Sequence, residues 1–350
     1  MNTTRRVRIK DVAARAGVSP STVSVVLNDV PARISSTTAE AVRAAARELG
    51  YHPDLNARSL RRKQTQLIGM VTDSVVTTPY APGLVRGAQE AAWERQHLLL
   101  ISNTEGDAAH EEELLEALLA QRVAGFLLAS TAHEARPLPR ALRSVPVVGM
   151  NLELTDGLVS FVPDEYAGAE DLVRLLVSAG HRRIALLHGR SRFPAAVLRA
   201  EAHAEVTRAA RCYDALLVAY HDHDSELGDS AFGERAALRL LQLPDPPTAI
   251  MAFNDRMAVG VYHAARLLGI GIPEQLSVVG FDNQILVADE LRPGLTTIDL
   301  PHRELGYRAT STLLALLEDH PDEVPRGIVR LSCPLVERNS VAPPGLALAP

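Results

Sequence analysis

The stretch Arg8-Ile-Lys-Asp-Val-Ala-Ala-Arg-Ala-Gly-Val-Ser-Pro-Ser-Thr-Val-Ser-Val-Val-Leu-Asn28 decides how the rest of the chain is read. Ile9, Val12, Ala13 and Ala16 recur at helical spacing and form one apolar stripe. Gly17 follows where a helix end favours a left-handed residue. Val18 plugs the gap to a second helix, for which Ser19 is an N-cap and Pro20 a suitable first residue. Val23, Val26 and Leu27 then point inward, and Pro20, Ser21, Ser24 and Val25 face out. A helix, a glycine turn and a second helix with small polar residues at its exposed start is helix-turn-helix grammar. In that arrangement the second helix enters the major groove of DNA.

Working outward, Asp29 to Ile34 reads as a loop holding Pro31. Ser35, Ser36 and Thr37 offer caps for a third helix, and Thr37 to Glu40 has capping-box spacing. Val42, Ala45, Ala46 and Leu49 line one face of that helix, which Gly50 ends. Residues 51–65 form a basic linker with a short helical piece, Asn56 to Arg62. A helix this short is marginal alone in water, so order is expected only on DNA. Leu60 stands out in this polar stretch. It suits either a wedge pushed between base steps from the minor groove or a packing contact with the head.

From Gln66 strands and helices alternate. Strands are expected at 67–72, 97–102, 125–129, 146–150, 183–188, 248–252 and 277–281. Helices are expected at 82–96, 109–121, 166–179, 194–211, 233–241 and 255–268. Continuous apolar strands between helices imply parallel sheets covered on both faces, here two doubly wound α/β lobes. Ligands in such folds sit outside the carboxyl ends of the strands, so both lobes should face one cleft.

The charge is divided. Residues 1–63 carry 12 Arg and Lys against 5 Asp and Glu, and the remainder carries 24 against 37. A basic head on an acidic body fits nucleic-acid binding joined to a sensor or an enzyme. No run approaches about 18 apolar residues, so no membrane span is expected. The start of the chain, Met-Asn-Thr-Thr-Arg-Arg, is not an apolar signal region, so a cytoplasmic location is expected. Cys212 and Cys333 form no CxxC pair and read as reduced thiols. His221-Asp-His-Asp224 has metal-ligand residue types, but four consecutive positions do not converge on one ion, and a solvated loop is expected. No HExxH, GxSxG or GxxxxGK[ST] occurs, and no GxGxxG follows the first body strand. Neither an enzyme, a cofactor nor a metal is therefore expected.

Together these features resemble the LacI/GalR family of bacterial transcriptional regulators along nearly the whole chain. The resemblance rests on Asp11-Val-Ala-Ala-Arg-Ala-Gly-Val-Ser19, Thr22-Val-Ser24, Leu27-Asn28 and Ala57-Arg-Ser-Leu60. In the body it rests on Gly180-His-Arg-Arg-Ile184, Pro247-Thr-Ala-Ile250, Phe253-Asn-Asp255, Leu276-Ser-Val-Val-Gly-Phe-Asp282, Leu295-Thr-Thr-Ile298 and Glu304-Leu-Gly306. The body alone would equally resemble periplasmic sugar-binding proteins.

The resemblance implies a homodimer whose heads each read an operator half-site, whose paired hinge helices open the minor groove, and whose bodies bind a small molecule between two lobes. It implies a head at 1–51, a hinge at 52–65, a first lobe at 66–163 and 292–323, a second lobe at 164–291 and 324–340, and a disordered tail at 341–350. The chain would then cross between lobes near Val162 to Pro163, Leu291 and Val324.

On DNA, Pro20, Ser21 and Val25 match the family's base-reading positions. Many members have arginine where this chain has Val25, and valine cannot make the bidentate guanine contact. Ser19, Thr22, Ser24 and Asn28 suit phosphate contacts or, equally, caps and packing. Ala57 and Leu60 belong to the hinge motif.

For the effector, Arg199 matches a ligand-holding arginine that usually precedes x-x-Gly-aromatic. This chain has Ala202 and His203 there. Asn151, Asn254 and Asp282 match polar ligand contacts. For Asn254 and Asp282 a helix cap and a strand-end turn are the alternatives. Tyr80, Ser130 and His302 are further candidates from the first lobe. Asn, Arg and Asp around a cleft suit the hydroxyls of a sugar or nucleoside, with a carbohydrate the expected effector.

The chain is thus expected to be an effector-controlled, DNA-binding repressor, with operator DNA and a second copy of itself as partners. A solute-binding protein of a transport system and a transcriptional activator are the alternatives. A transport protein would carry a signal region and no basic head. The tail after Ser340 holds three prolines and no heptads, so a tetramer-forming helix is not expected.

Overall fold

The structure, a computed structural model, describes residues 7–27, 33–51, 65–74, 81–190, 193–221 and 228–345. The chain divides into two units, Met1–Gln66 and Leu67–Pro350. Asn28, the loop that follows it, the hinge with Ala57 and Leu60, Tyr80, residues 222–224 of the His221–Asp224 stretch and residues 346–350 lie outside the described residues.

In the head, α1 (Ile9–Ala16), α2 (Pro20–Leu27) and α3 (Ser36–Glu48) enclose a core of Val12, Ala13, Val23, Val26, Val42, Ala45 and Ala46. Gly17 ends α1 at φ +66°, a left-handed turn that favours glycine. Ser19 Oγ accepts from the Thr22 amide at 3.1 Å and so starts α2. For α3 the cap is Ser35, which accepts from the Thr38 amide at 3.2 Å. The expected Thr37–Glu40 box therefore lies inside the helix. Ser24 was expected to face out but is buried. It stands beside Val23 and one turn before Leu27, at the margin of an arc that packs against both other helices, and its side chain is short enough to be covered there.

The first lobe of the body is a six-stranded parallel sheet. Its strands are β1 (Leu67–Thr72), β2 (Leu98–Asn103), β3 (Phe126–Arg136), β4 (Val147–Leu154), β5 (Ser160–Pro163) and β11 (Ile328–Leu331), in the order β11-β5-β4-β3-β1-β2. Alternation along β1 sends Ile68 and Met70 to one face and Val71 to the other. The first face packs on α4 (Ala81–Glu94) and α10 (His302–Leu317), and the second on α5 (Ala108–Ala120).

The second lobe is built on β6 (Ile184–His188), β7 (Val218–Tyr220), β8 (Ala249–Ala252) and β9 (Ser277–Val279), in the order β7-β6-β8-β9. Helices α6 (Glu165–Ser178) and α7 (Pro194–Ala209) cover one face, and α8 (Asp229–Leu241) and α9 (Asp255–Leu268) the other. The strands β10 (Thr297–Ile298) and β12 (Leu335–Val336) pair antiparallel.

These pairings move two of the expected crossings. Thr296 bridges to Val279 and Asp299 to Asp282, so residues 292–299 run with the second lobe, and the chain crosses at about Leu300, not at Leu291. Residues 328–331 pair with β5 of the first lobe, so the return crossing follows Leu331 and not Val324. Strands of two residues, and an edge strand exposed at alternate positions, carry too little apolar pattern to be seen in sequence. The tail also differs from expectation over 341–345. Val341 packs on the second-lobe core. The Ala342 amide donates to Ser277 Oγ at 3.1 Å, and the Ala342 carbonyl accepts from Ser277 Oγ at 3.0 Å.

Each lobe contains one helix pair held close by glycines. A Cβ on Gly87 of α4 would lie 1.9 Å from the Arg303 carbonyl oxygen of α10, and one on Gly306 would lie 2.1 Å from that of Leu84. Gly233 of α8 and Gly260 of α9 are related in the same way through Met257 and Ser230. The obstruction is backbone, which cannot swing aside. Gly87→Ala should therefore destabilise the body by about 2 kcal/mol in urea unfolding, and an unchanged midpoint would contradict this packing.

Candidate functional site

The carboxyl ends of both parallel sheets open onto one cavity of about 910 Å³ within the body. From the first lobe it is lined by Asp73 past β1, by Thr131 and His133 on β3 and by Asn151 on β4. From the second it is lined by Phe253 and Asn254 past β8 and by Asp282 past β9, with Glu165 and Arg199 behind them. This is the strand-end location that a doubly wound sheet dictates.

The first-lobe wall is shaped by a bulge. The β3–β4 register shifts between Ala129 and Glu134, and Asn151 sits at φ +55°, a conformation asparagine tolerates better than most residues. Its Nδ2 donates to the Ser130 carbonyl at 3.0 Å. Asp73 accepts from the Thr131 amide and hydroxyl, from the Ser74 amide and from Ser130 Oγ at 3.1 Å. Burial raises the Asp73 carboxyl, but these donors outweigh it and hold the group below its ordinary value. Ser130 itself is buried and turned onto Asp73, and it is not among the residues that line the cavity.

The second-lobe wall is organised by Arg199, which is 3 % exposed. Its Nε and Nη2 each lie 2.7 Å from Glu165 Oε2, and Nη1 donates to the Phe253 carbonyl. The guanidinium lies over the rings of Phe253 (4.6 Å to the centroid) and Phe281 (3.5 Å). Asp282 Oδ1 stands 3.7 Å from Nη2. Burial pushes the Asp282 carboxyl up to about 6, with Arg199 pulling against that rise.

Asn254 is a helix cap, the alternative open to it, and it also lines the cavity. Its Oδ1 caps α9 through the Met257 amide at 2.8 Å, and its Nδ2 donates to Asp229 Oδ2 at 2.8 Å at the cavity edge. His302, the first residue of α10, lines the same cavity. Burial, and secondarily the Arg199 charge, lower its pKa to about 4, so it is neutral at pH 7.

Of the residues singled out in the sequence, Asn151, Arg199, Asn254, Asp282 and His302 thus come together, and Ser130 lies just behind them. Asp73, His133, Glu165 and Phe253 were missed. Asp73 and Phe253 immediately follow the strands expected at 67–72 and 248–252, which was the available signal. His133 depended on a strand extension over a bulge, which no pattern announces. In the head, Ser19, Pro20 and Ser21 are exposed, Thr22 and Val25 are half-buried, and Ser24 is covered.

Removing one partner of a buried ion pair strands the others. Arg199→Met should lower the stability of the body by about 3 kcal/mol, and Glu165→Gln on that background should recover part of the loss. Additive losses in denaturant unfolding would show that the two residues do not act as a pair.

Residues 8–54 match the lacI family of bacterial regulatory proteins, and residues 173–341 match a periplasmic binding protein-like domain. The Ribose operon repressor of Escherichia coli (strain K12) is 38% identical over 311 residues, covering 87% of this chain and 92% of its own. The HTH-type transcriptional repressor CytR of the same organism is 31% identical over 341 residues, covering 95% of each. Among solved structures, the lac repressor dimer bound to operator and the anti-inducer ONPF aligns at a TM-score of 0.80 and 28% identity, covering 97% of this chain and 100% of that one. A cellobiose complex of the transcriptional regulator CelR aligns at 0.67 and 29% identity, covering 96% of this chain and 100% of that one. With its head, its two-lobed body and relatives matched over nearly their full length, the chain belongs to the lacI family and is a DNA-binding transcriptional regulator.

Proposed function

We propose that the protein is a cytoplasmic repressor whose operator affinity is set by a sugar or ribonucleoside bound in the interlobe cavity. The observation that carries this is the Arg199–Glu165–Asp282 wall, with Asn254 and Asn151 facing the same space. Fixed donors and acceptors of this kind orient a polyhydroxyl ligand, and Phe253 supplies an apolar flank. The Ribose operon repressor relative makes D-ribose the first compound to try. In the head, exposed Pro20 and Ser21 are the base-reading residues, and Asn28, Ala57 and Leu60 are assigned to DNA with them.

The reading includes a homodimer. Trp93 near the end of α4, and Leu98 and Leu100 on the edge strand β2, are exposed. An apolar edge strand invites a partner, and a second copy would cover it. Charged replacements at Trp93 and Leu98 should give a monomer in sedimentation and weaken binding to a two-half-site operator. A dimer that survives both would place the interface elsewhere.

The effector test is a thermal-shift screen of the full chain with D-ribose and ribonucleosides, followed by titration of operator selected from random DNA. A stabilising compound should change operator affinity. Asp282→Ala should abolish that response and leave operator affinity without effector intact. An unaltered response in the variant would remove Asp282 from the effector site.

A further inference from the structure

Asp255, the first residue of α9, lies behind the cavity wall and is 0% exposed. Its carboxyl is tied to two separate segments of the second lobe, and its backbone amide to the first of them again. Oδ2 accepts from the Gln284 amide at 2.7 Å. Oδ1 is 2.6 Å from Thr297 Oγ1 on β10. The Asp255 amide donates to the Phe281 carbonyl at 2.9 Å. Gly280, just past β9, lets the backbone lie directly against this carboxyl, because a Cβ there would run into Oδ1.

The charges around it do not balance a carboxylate. No salt bridge to Asp255 is found among the described residues. Asp282 faces it with like charge, and Glu165 stands beyond Asp282. The cations of the neighbourhood are paired elsewhere: Arg199 to Glu165, Arg256 to Asp229 at 3.1 Å, and Arg338 to Asp289 at 2.6 Å, from where the Arg338 charge pulls the Asp255 carboxyl down only as a lesser influence. Two neutral donors do not offset the desolvation of a fully buried anion. Burial first, and the Asp282 charge second, push the Asp255 carboxyl up to about 8.

We infer that Asp255 carries a proton at neutral pH and, in that uncharged form, positions the Phe281–Gln284 loop that presents Asp282 to the cavity. The loop needs such a support. Asp282 and Asn283 both have positive φ, 105° and 50°, a conformation that side-chain-bearing residues keep only when their surroundings impose it. Protonated Asp255 supplies an O–H donor toward Thr297 and an acceptor for the Gln284 amide. An asparagine side chain offers the same two functions without charge.

The inference uses the proposed effector cavity only to give the loop its purpose, and its test needs no effector. Infrared spectra of the full chain at neutral pH should show a protonated-carboxyl carbonyl band that is missing in Asp255→Asn. Hydrogen exchange of the 281–285 amides should be unchanged in Asp255→Asn and roughly tenfold faster in Asp255→Ala.

The sign of the stability effect follows from the raised pKa. Unfolded Asp255 releases its proton near its ordinary value while the folded protein retains it, so the wild type loses stability as pH rises toward about 8. Asp255→Asn lacks that slope, so its melting temperature should gain on the wild type between about pH 5 and about pH 8.

Absence of the infrared difference, or a loop as open in Asp255→Asn as in the alanine variant, would overturn the inference. If Asp255→Ala does not fold, exchange in Asp255→Asn decides alone. A failed effector screen would leave these results standing, so the two ideas can fail separately.

Discussion

Burying Arg199 is the constraint on which the rest of the cleft depends. A guanidinium taken out of water is costly unless it is paired and fully hydrogen-bonded. Here compensation comes from three segments at once: Glu165 at the start of α6, the Phe253 carbonyl past β8, and the Phe281 ring and Asp282 past β9, all meeting a side chain from α7. Replacing such a pair by apolar residues is often neutral for stability. Its value lies in geometry, since one buried cation fixes where two strand ends and a helix start must stand. Asp282 then faces the cavity as a consequence of that cluster, as does the Asn254 cap beside it.

How much of this was legible in sequence divides along physical lines. Signals that act within one turn were readable. The Gly17 turn, the Ser19 cap and α9 all stand where their residues place them. The strand ends could be read closely enough to place Asn254 and Asp282, whereas Asn151, expected just past a strand end at 150, lies inside β4, which runs on to Leu154. What failed was decided by contacts between distant segments. Ser24 carries a polar side chain on an exposed-looking position, yet it is buried within the head. Strand β11 finds its lobe through pairing with β5, which lies more than 160 residues earlier. The tail is held by Ser277 and by His181, whose Nε2 lies 2.9 Å from the Ala342 carbonyl, and its proline-rich composition masks that attachment.

The departure at Ala202 and His203 illustrates the same division. The family resemblance leads one to expect glycine and an aromatic residue one turn after Arg199. In this chain Ala202 is fully buried in the second-lobe core, and His203 Nε2 lies 3.3 Å from the Ile184 carbonyl. Burial holds His203 neutral, lowering its pKa to about 4. Neither residue lines the cavity. The substitution is therefore absorbed inside the lobe, and Arg199 keeps its place because its partners lie on other elements.

The two walls of the cavity are not equivalent, and that difference bears on how a ligand could act. On the first lobe Asp73 is already satisfied by donors of its own lobe, so that wall is rigid and locally complete. On the second, Arg199 and Asp282 are 3.7 Å apart, close enough to attract but too far to bond directly. Across the gap, His133 Nε2 lies 2.9 Å from Glu153 Oε1, while its Nδ1 is 3.9 Å from Glu165 Oε1. At this point the two lobes face each other through His133 and Glu165, which stand farther apart than a hydrogen bond allows. A ligand shifts a conformational equilibrium only through contacts that differ between its states. A hydroxyl that bonds Asp282 or Arg199 on one wall and His133 or Asn151 on the other makes such a contact, because it is complete only when the lobes stand at one separation. Specificity for the ligand and control of lobe geometry would then come from the same few hydrogen bonds.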